Sequence, residues 1–314
     1  MRYTLRQLEV FLAVARHESI SRAVEELAMS QSAVSGALSD LEKQFDLQLF
    51  DRIGKRLQLS ALGRALSARA EAVYAQAEEL EHALAQQSDV GVLRVGATLT
   101  IGNHVAVPLI ARFIQQNPGA QVRLEVANTT EIARKVGNFE IDVGLIEGEL
   151  LHPDLDVTPW RDDELVVFCA PSFPLATERQ LNDVLLKSAP WIVREPGSGT
   201  RQAFERAMHG ILSELHIGLE LQHTEAIKSA VEQGLGLGCV SRIAVAEEFR
   251  LGRLQPCEVP GRDFKRQFYF VLHKHKHRSA GLTRWLQLWP ALLVLALLLL
   301  PLDVAARRLS LFRR

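Results

Sequence analysis

Arg194-Glu-Pro-Gly-Ser-Gly-Thr-Arg201 combines free backbone amides expected at a helix start, the hydroxyls of Ser198 and Thr200, and a guanidinium at each end. Such a set suits an anion, because unpaired N–H groups, the helix dipole and an arginine all favour negative charge. Ser198, Gly199 and Thr200 make the cradle in this reading, and Arg194 or Arg201 supplies the charge. Ala97-Thr-Leu-Thr-Ile-Gly-Asn103 repeats the pattern, with the hydroxyls of Thr98 and Thr100 where a strand hands over to a helix. Gly144-Leu-Ile-Glu-Gly148 places Glu147 at another strand end, either orienting Arg194 or Arg201 or standing as a solvated carboxylate. An ordinary capped loop explains the same composition, so both readings stay open.

A second group of residues suits DNA. Ser30 is an N-cap for a helix over Gln31 to about Phe45, with an apolar side of Ala33, Val34, Ala37, Leu38 and Leu41. Its other side presents Gln31, Ser32, Ser35 and Ser39, donors and acceptors of the kind that meet base edges in the major groove. Gly36 within this helix costs about 1 kcal/mol relative to alanine, and close approach of backbone to DNA is one reason to keep it. Residues 47–60 then read as a small hairpin around Gly54, with Arg52, Lys55 and Arg56 at its tip, placed for phosphate or minor-groove contact. A solvated turn is the alternative.

The rest of the chain has to position these groups. At 314 residues it is long enough for two or three domains. Lys plus Arg 36 against Asp plus Glu 37 gives a net charge of -1, so any nucleic-acid contact is a local patch. Cys169, Cys239 and Cys257 form no C-x-x-C pair, which argues against a disulfide framework or structural zinc and for a reduced, cytoplasmic protein. From Ala61 to about Gln87, apolar residues at Leu66, Ala70, Val73, Ala77, Leu80 and Leu84 follow heptad spacing, with Arg69, Glu71, Gln76, Glu79, Glu81 and Gln86 outside. So narrow a stripe needs a partner helix, hence a homodimer. After a break at Ser88-Asp-Val-Gly91, strands at 92–97, 121–126 and 141–146 alternate with helices at 103–116 and 130–138. This order predicts a mainly parallel α/β sheet with ligands beyond the strand ends. A second such unit holds strands at 191–194, 218–222 and 238–240 and helices from about 201 and 226, entered through 164–170 and left through 266–272. Two lobes with two crossings enclose a cleft.

Leu5-Arg-Gln-Leu-Glu-Val-Phe11, Ser21-Arg-Ala-Val-Glu-Glu-Leu-Ala-Met-Ser-Gln-Ser-Ala-Val-Ser35 and Leu41-Glu-Lys-Gln-Phe-Asp-Leu-Gln-Leu-Phe-Asp-Arg52 closely resemble the N-terminal domain of LysR-type transcriptional regulators. The resemblance implies a winged helix-turn-helix over 1–60, a dimerising linker helix over 61–88 and a two-lobed, periplasmic-binding-protein-like effector domain over 89–280. It places DNA contacts on Gln31, Ser32, Ser35, Arg52 and Arg56, and Gly36 stands where the family often has a long polar or basic residue. Thr98 to Asn103, Ile146-Glu-Gly148, Trp160, Asp163 to Phe168, Gly197 to Arg201 and Glu225-Ala-Ile-Lys228 look like the YeiE and FinR subgroup, associated with sulfite and with sulfur or redox metabolism; position 99 is Leu here where some relatives carry a hydroxyl. The implied partners are double-stranded promoter DNA, a small anionic effector (sulfite or a carboxylate) and further copies of the chain, as a homodimer pairing into a homotetramer.

The competing class is an α/β binding protein or enzyme without a DNA role. It has little support: Gly234-Leu-Gly-Leu-Gly238 lacks dinucleotide spacing and precedes a strand, and no nucleophile elbow is visible. No cofactor is implied. His273, His275 and His277 would share one face of a strand, as metal ligands do, or form a basic strand end. Residues 281–314 form an atypical hydrophobic tail. Its ten-residue apolar core between Pro290 and Pro301 leaves three accounts: a membrane or interface anchor, a packed helix, or a frame-shifted or otherwise non-native terminus, the last ranked first.

Overall fold

The structure is a computed structural model that describes residues 2–53, 56–84 and 91–288. Lys55 and the tail from 289 lie outside the described residues. Three short helices open the chain: α1 (Leu5–His17), α2 (Ile20–Leu27) and α3 (Gln31–Phe45). Each start is capped by a side chain, a capping box of Thr4 and Gln7 for α1, Ser19 for α2 and Ser30 for α3. The chain turns between α2 and α3 through Ala28 in left-handed geometry (φ 50°). Val10, Phe11, Ala23, Val34, Leu38 and Leu41 form the core of this domain. Ala33, expected on the buried side, is exposed at the first turn of α3. Strands β1 (Phe50–Ile53) and β2 (Arg56–Leu59) form the expected antiparallel hairpin.

Helix α4 (Ala61–Leu84) follows directly. Its stripe is divided between two tasks. Leu66 and Ala70 pack into the N-terminal core, whereas Val73, Leu80 and Leu84 are exposed (41%, 61% and 74%). Glu71, expected on the outer face, is buried and faces Lys276 at 3.4 Å, which also pairs with Asp142 at 3.0 Å. Heptad spacing could not show this, because Lys276 arrives from the far end of the chain.

The remaining strands form one mixed sheet in the order β4-β3-β5-β11-β6-β9-β7-β8, with β10 on β6. Lobe I holds β3 (Val92–Ala97), α5 (Leu99–Ile101), a π turn (Gly102–Ala106), α6 (Val107–Gln116), β4 (Gln121–Val126), α7 (Thr129–Gly137) and β5 (Val143–Glu147). β6 (Leu155–Cys169) crosses into lobe II, which holds α8 (Asp183–Ser188), β7 (Pro190–Arg194), α9 (Gly199–Ala207), β8 (His216–Leu221), α10 (Thr224–Glu232), β9 (Leu237–Ser241), α11 (Arg242–Arg250) and β10 (Gln255–Cys257). β11 (Lys265–His273) returns to lobe I, and a helix over 280–288 seals its core with Trp285 packed edge-on to Phe113. Within each lobe β3, β4, β5 and β7, β8, β9 are parallel, while every pairing of β6 and β11 is antiparallel, so the sheet is less parallel than the alternation predicts. β6 begins nine residues before the expected start at 164, because Pro159 and the charges from Asp156 to Asp163 conceal an edge segment that pairs only with β11. The first lobe I helix starts at Leu99 rather than at 103, which makes Thr98 its N-cap. β11 ends at His273 and the chain turns at 274–275, so the three histidines do not line one strand face. Among the described residues no helix is long and apolar enough to cross a membrane.

Gly63 shows how tightly the linker helix is seated. A Cβ there would lie 2.2 Å from the Leu49 carbonyl oxygen, inside backbone that cannot yield cheaply. Gly63→Ala is expected to destabilise the N-terminal domain by about 1–3 kcal/mol, as overpacking does, read as a lower urea midpoint with DNA affinity falling in parallel.

Candidate effector cleft and DNA-facing helix

Two helix starts, one from each lobe, converge on a single carboxylate. Glu147, the last residue of β5, is 1% exposed. Its Oε1 accepts from the Thr98 hydroxyl (2.9 Å) and the Thr100 amide (2.8 Å) at the start of α5. Its Oε2 accepts from the Thr200 hydroxyl (2.9 Å) in the first turn of α9 and pairs with Arg266 Nη1 at 2.8 Å. The Thr129 hydroxyl donates to its backbone carbonyl. Gly199 is obligatory by contact, since a Cβ would fall 1.7 Å from that same carbonyl oxygen. Ser198 caps α9 by accepting from the Thr200 amide at 3.2 Å.

Of the donors expected to cradle an anion, the Thr98 and Thr200 hydroxyls and the Thr100 amide are therefore brought together on the protein's own carboxylate. Glu147 is neither solvated nor paired with Arg194 or Arg201, which corrects both readings of it. Arg194 is buried against Glu195 (2.7 Å). Arg201 turns to Glu205, to Glu220 and to the Arg194 carbonyl. The counter-charge is Arg266, whose Nε also binds Asp163 at 2.7 Å, while Asp163 accepts from Ser241. Arg266 and Asp163 face each other directly in the β11–β6 register. This register is why the sequence alone does not single them out: each is one charge at the edge of an apolar strand, and only strand pairing makes them partners.

Burial pushes the Glu147 carboxyl up, but Arg266 and the hydrogen bonds from Thr100, Thr98 and Thr200 outweigh it and hold it below the usual 4.5. Above the floor, Asn128 reaches Glu195 and Thr130 contacts the Gly197 carbonyl, so the lobes touch along one rim. His104, on the π turn of lobe I, lies within electrostatic reach of Lys228, on α10 of lobe II. Lys228 is buried and held by Glu225 (2.8 Å), Glu248 (3.0 Å) and the Ala244 carbonyl. Burial, then Lys228, lowers the pKa of His104. His104 drew no attention in the sequence, having no motif around it; the π turn that carries it is the kind of irregularity that often marks a site.

On the N-terminal domain, Gln31 and Ser32 are exposed and Ser35 half-buried along one side of α3, and Arg52 is exposed on β1. Arg56 opens β2, with its backbone opposite Ile53. Among the described residues, nothing outside its own helix turn lies within 4 Å of a Cβ placed on Gly36, so packing among them does not require glycine there. A gap of about 1490 Å³ between this domain and lobe I is lined by Arg16, His17, Arg134, His152 and His273, away from the Glu147 network.

The helix-turn-helix with its hairpin, joined by one helix to a two-lobed α/β domain, matches known proteins over both parts. Residues 5–64 match the bacterial regulatory helix-turn-helix protein family of lysR type, and residues 86–291 the LysR substrate binding domain. The chain belongs to the LysR family. It is similar to the "Uncharacterized HTH-type transcriptional regulator YeiE" of Escherichia coli, with 42% identity over 91% of this chain and 97% of that protein. Among solved structures, the LysR fold here resembles a full-length OxyR variant from Pseudomonas aeruginosa (TM-score 0.67, 21% identity, 91% of this chain and 94% of that one). The regulatory domain of CcmR from Synechocystis PCC6803 in complex with 2-PG is also similar (TM-score 0.59, 29% identity, 64% and 97% covered). The chain is thus a LysR-type ligand-responsive transcriptional regulator; members of this family are regulators and not enzymes.

Glu147→Gln should cost about 1–3 kcal/mol, because the amide cannot accept at both of the positions where Thr98, Thr100, Thr200 and Arg266 donate, while Asp163 still balances the Arg266 charge. The folded-state pKa of Glu147 is depressed, so its contribution is present above the unfolded value of 4.5 and is lost as pH falls through the lower folded value. Unfolding free energy measured from pH 7 to pH 3 should fall steeply below about pH 4.5 in the wild type and more gently in the variant.

Proposed function

We propose that this LysR-type regulator is cytoplasmic, binds promoter DNA as a dimer of dimers, and responds to a small anion, sulfite or a carboxylate, held between the lobes of its effector domain. The division is 1–60 for DNA binding, 61–88 for the linker and 89–280 for sensing. Gln31, Ser32 and Ser35 face base edges, and Arg52, Lys55 and Arg56 meet the phosphates, positioning the domain without reading sequence. Val73, Leu80 and Leu84, left exposed in one copy, are the residues a partner's linker helix would cover.

The observation carrying the effector reading is the convergence of both lobes on Glu147. Thr98, Thr100, Ser198, Gly199 and Thr200 build a floor around that carboxylate, with Arg194 and Arg201 bracing the α9 side. The anion lodges above the floor, where His104 faces Lys228 and supplies the proton-bearing partner. Bound negative charge raises the affinity of His104 for a proton, opposing the effect of burial and of Lys228. CcmR, whose regulatory domain was solved with 2-PG, supports an anion at a domain of this kind. Resemblance to YeiE supports the subgroup, and sulfite is the first compound to try.

The deciding experiment is a footprint of the purified protein on DNA upstream of its own gene, at stated salt, with and without sulfite. Two protected half-sites whose extent shifts with sulfite are expected. Protection that ignores sulfite but shifts with a carboxylate would replace the ligand, and no protection on any upstream fragment would sink the DNA reading. Ser35→Glu should abolish protection with folding intact, and Leu80→Glu should halve the assembly from tetramer to dimer by light scattering.

A further inference from the structure

Three cysteines share one face of the lobe II sheet. β6 runs there between β9 and β10, and the residues opposite Val167 are Cys239 on one side and Cys257 on the other. Cys169 lies two positions along β6 and so projects to the same face. The Cys257 thiol donates to Cys169 Sγ at 3.5 Å. Cys169 is buried, and Cys257 is partly exposed at the edge of the lobe II core. The hydrogen bond from Cys257, with another from Gln255, lowers the Cys169 pKa against the opposing effect of burial. Burial pushes the Cys239 thiol the other way, up to about 12.

We infer that Cys169 and Cys257 are a dithiol that a peroxide converts to an intramolecular disulfide, leaving Cys239 reduced. The Cys169 sulfur, which accepts the Cys257 hydrogen bond and whose pKa is lowered by it, attacks a peroxide oxygen, giving a sulfenic acid and releasing water from hydrogen peroxide. The Cys257 sulfur, whose own proton is held by that hydrogen bond until then, attacks the sulfenic sulfur. The S–S bond forms as the S–O bond breaks, and the leaving hydroxide takes the Cys257 proton to become a second water. In sum two thiols lose two electrons and two protons, and one peroxide is reduced to two waters. The sulfurs must close from 3.5 Å to a bond of about 2.05 Å. β10 permits this because it is three residues long and pairs with β6 alone, so it can slide toward its neighbour without dragging a second strand.

The test treats the full-length protein with hydrogen peroxide in metal-free buffer, blocks remaining thiols with an alkylating agent, and maps the peptides. A Cys169–Cys257 cross-link that dithiothreitol reverses, with Cys239 alkylated only after unfolding, is expected. In Cys257→Ser, Cys169 should be trapped by dimedone as the sulfenic acid. In Cys169→Ser, the same dose should leave Cys257 reduced. Over-oxidation of Cys257 with Cys169 still free in the wild type, a Cys169–Cys239 link, or links only between chains would overturn the assignment.

Discussion

A carboxylate buried to 1% exposure is tolerable only when its charge is met, and the arrangement that meets the charge of Glu147 organises the effector domain. Thr98 and Thr100 come from lobe I, Thr200 from lobe II, and Arg266 from the strand that joins them. Arg266 is in turn clamped by Asp163 on the other crossover strand, which Ser241 holds at the end of β9. Both lobes and both crossover strands thus share one ionic network. Arg266 also lies over the Phe268 ring, its Cζ 5.4 Å from the centroid, so apolar packing and charge fix the same side chain.

This network shapes what a ligand can do. The Thr98 and Thr200 hydroxyls and the Thr100 amide already bind Glu147, so an effector gains little by replacing that carboxylate. A ligand shifts the balance between two arrangements only by binding one of them better. The rim contacts between Asn128 and Glu195, and between Thr130 and Gly197, join the two lobes, as do those of Glu149 with Gln202 and Arg206. The linker has a similar double constraint. Leu66 and Ala70 are committed to the N-terminal core, and Glu71 is tied to Lys276 beyond β11. The helix that carries the DNA-binding domain is therefore coupled to the sensing domain by an ion pair as well as by the chain.

Where local chemistry is strong, the sequence was legible. Ser30 capping, the apolar spacing of Val34, Leu38 and Leu41, and the turn before Gln31 place α3 from Gln31 to Phe45, as observed. The strands Val92–Ala97 and Gln121–Val126 also fall where alternation puts them. The gathering of Thr98, Thr100, Glu147, Ser198, Gly199 and Thr200 was legible too, because strand ends and helix starts in α/β units collect at one edge of the sheet.

Sequence by itself determined the order of elements, the family and which loops meet, since caps, periodicity and turn residues act over a few positions. Only the tertiary structure decided what those loops hold. Arg266 and Glu147 are 119 residues apart by their numbers, and Arg266 and Asp163 become partners only through the β11–β6 register. The same holds for Glu71 with Lys276 and for Cys169 with Cys257, pairs whose members carry no signal when read singly. Side-chain charge and hydrogen bonding act through space at 3 to 4 Å, and the sheet, not the local sequence, sets which residues come that close.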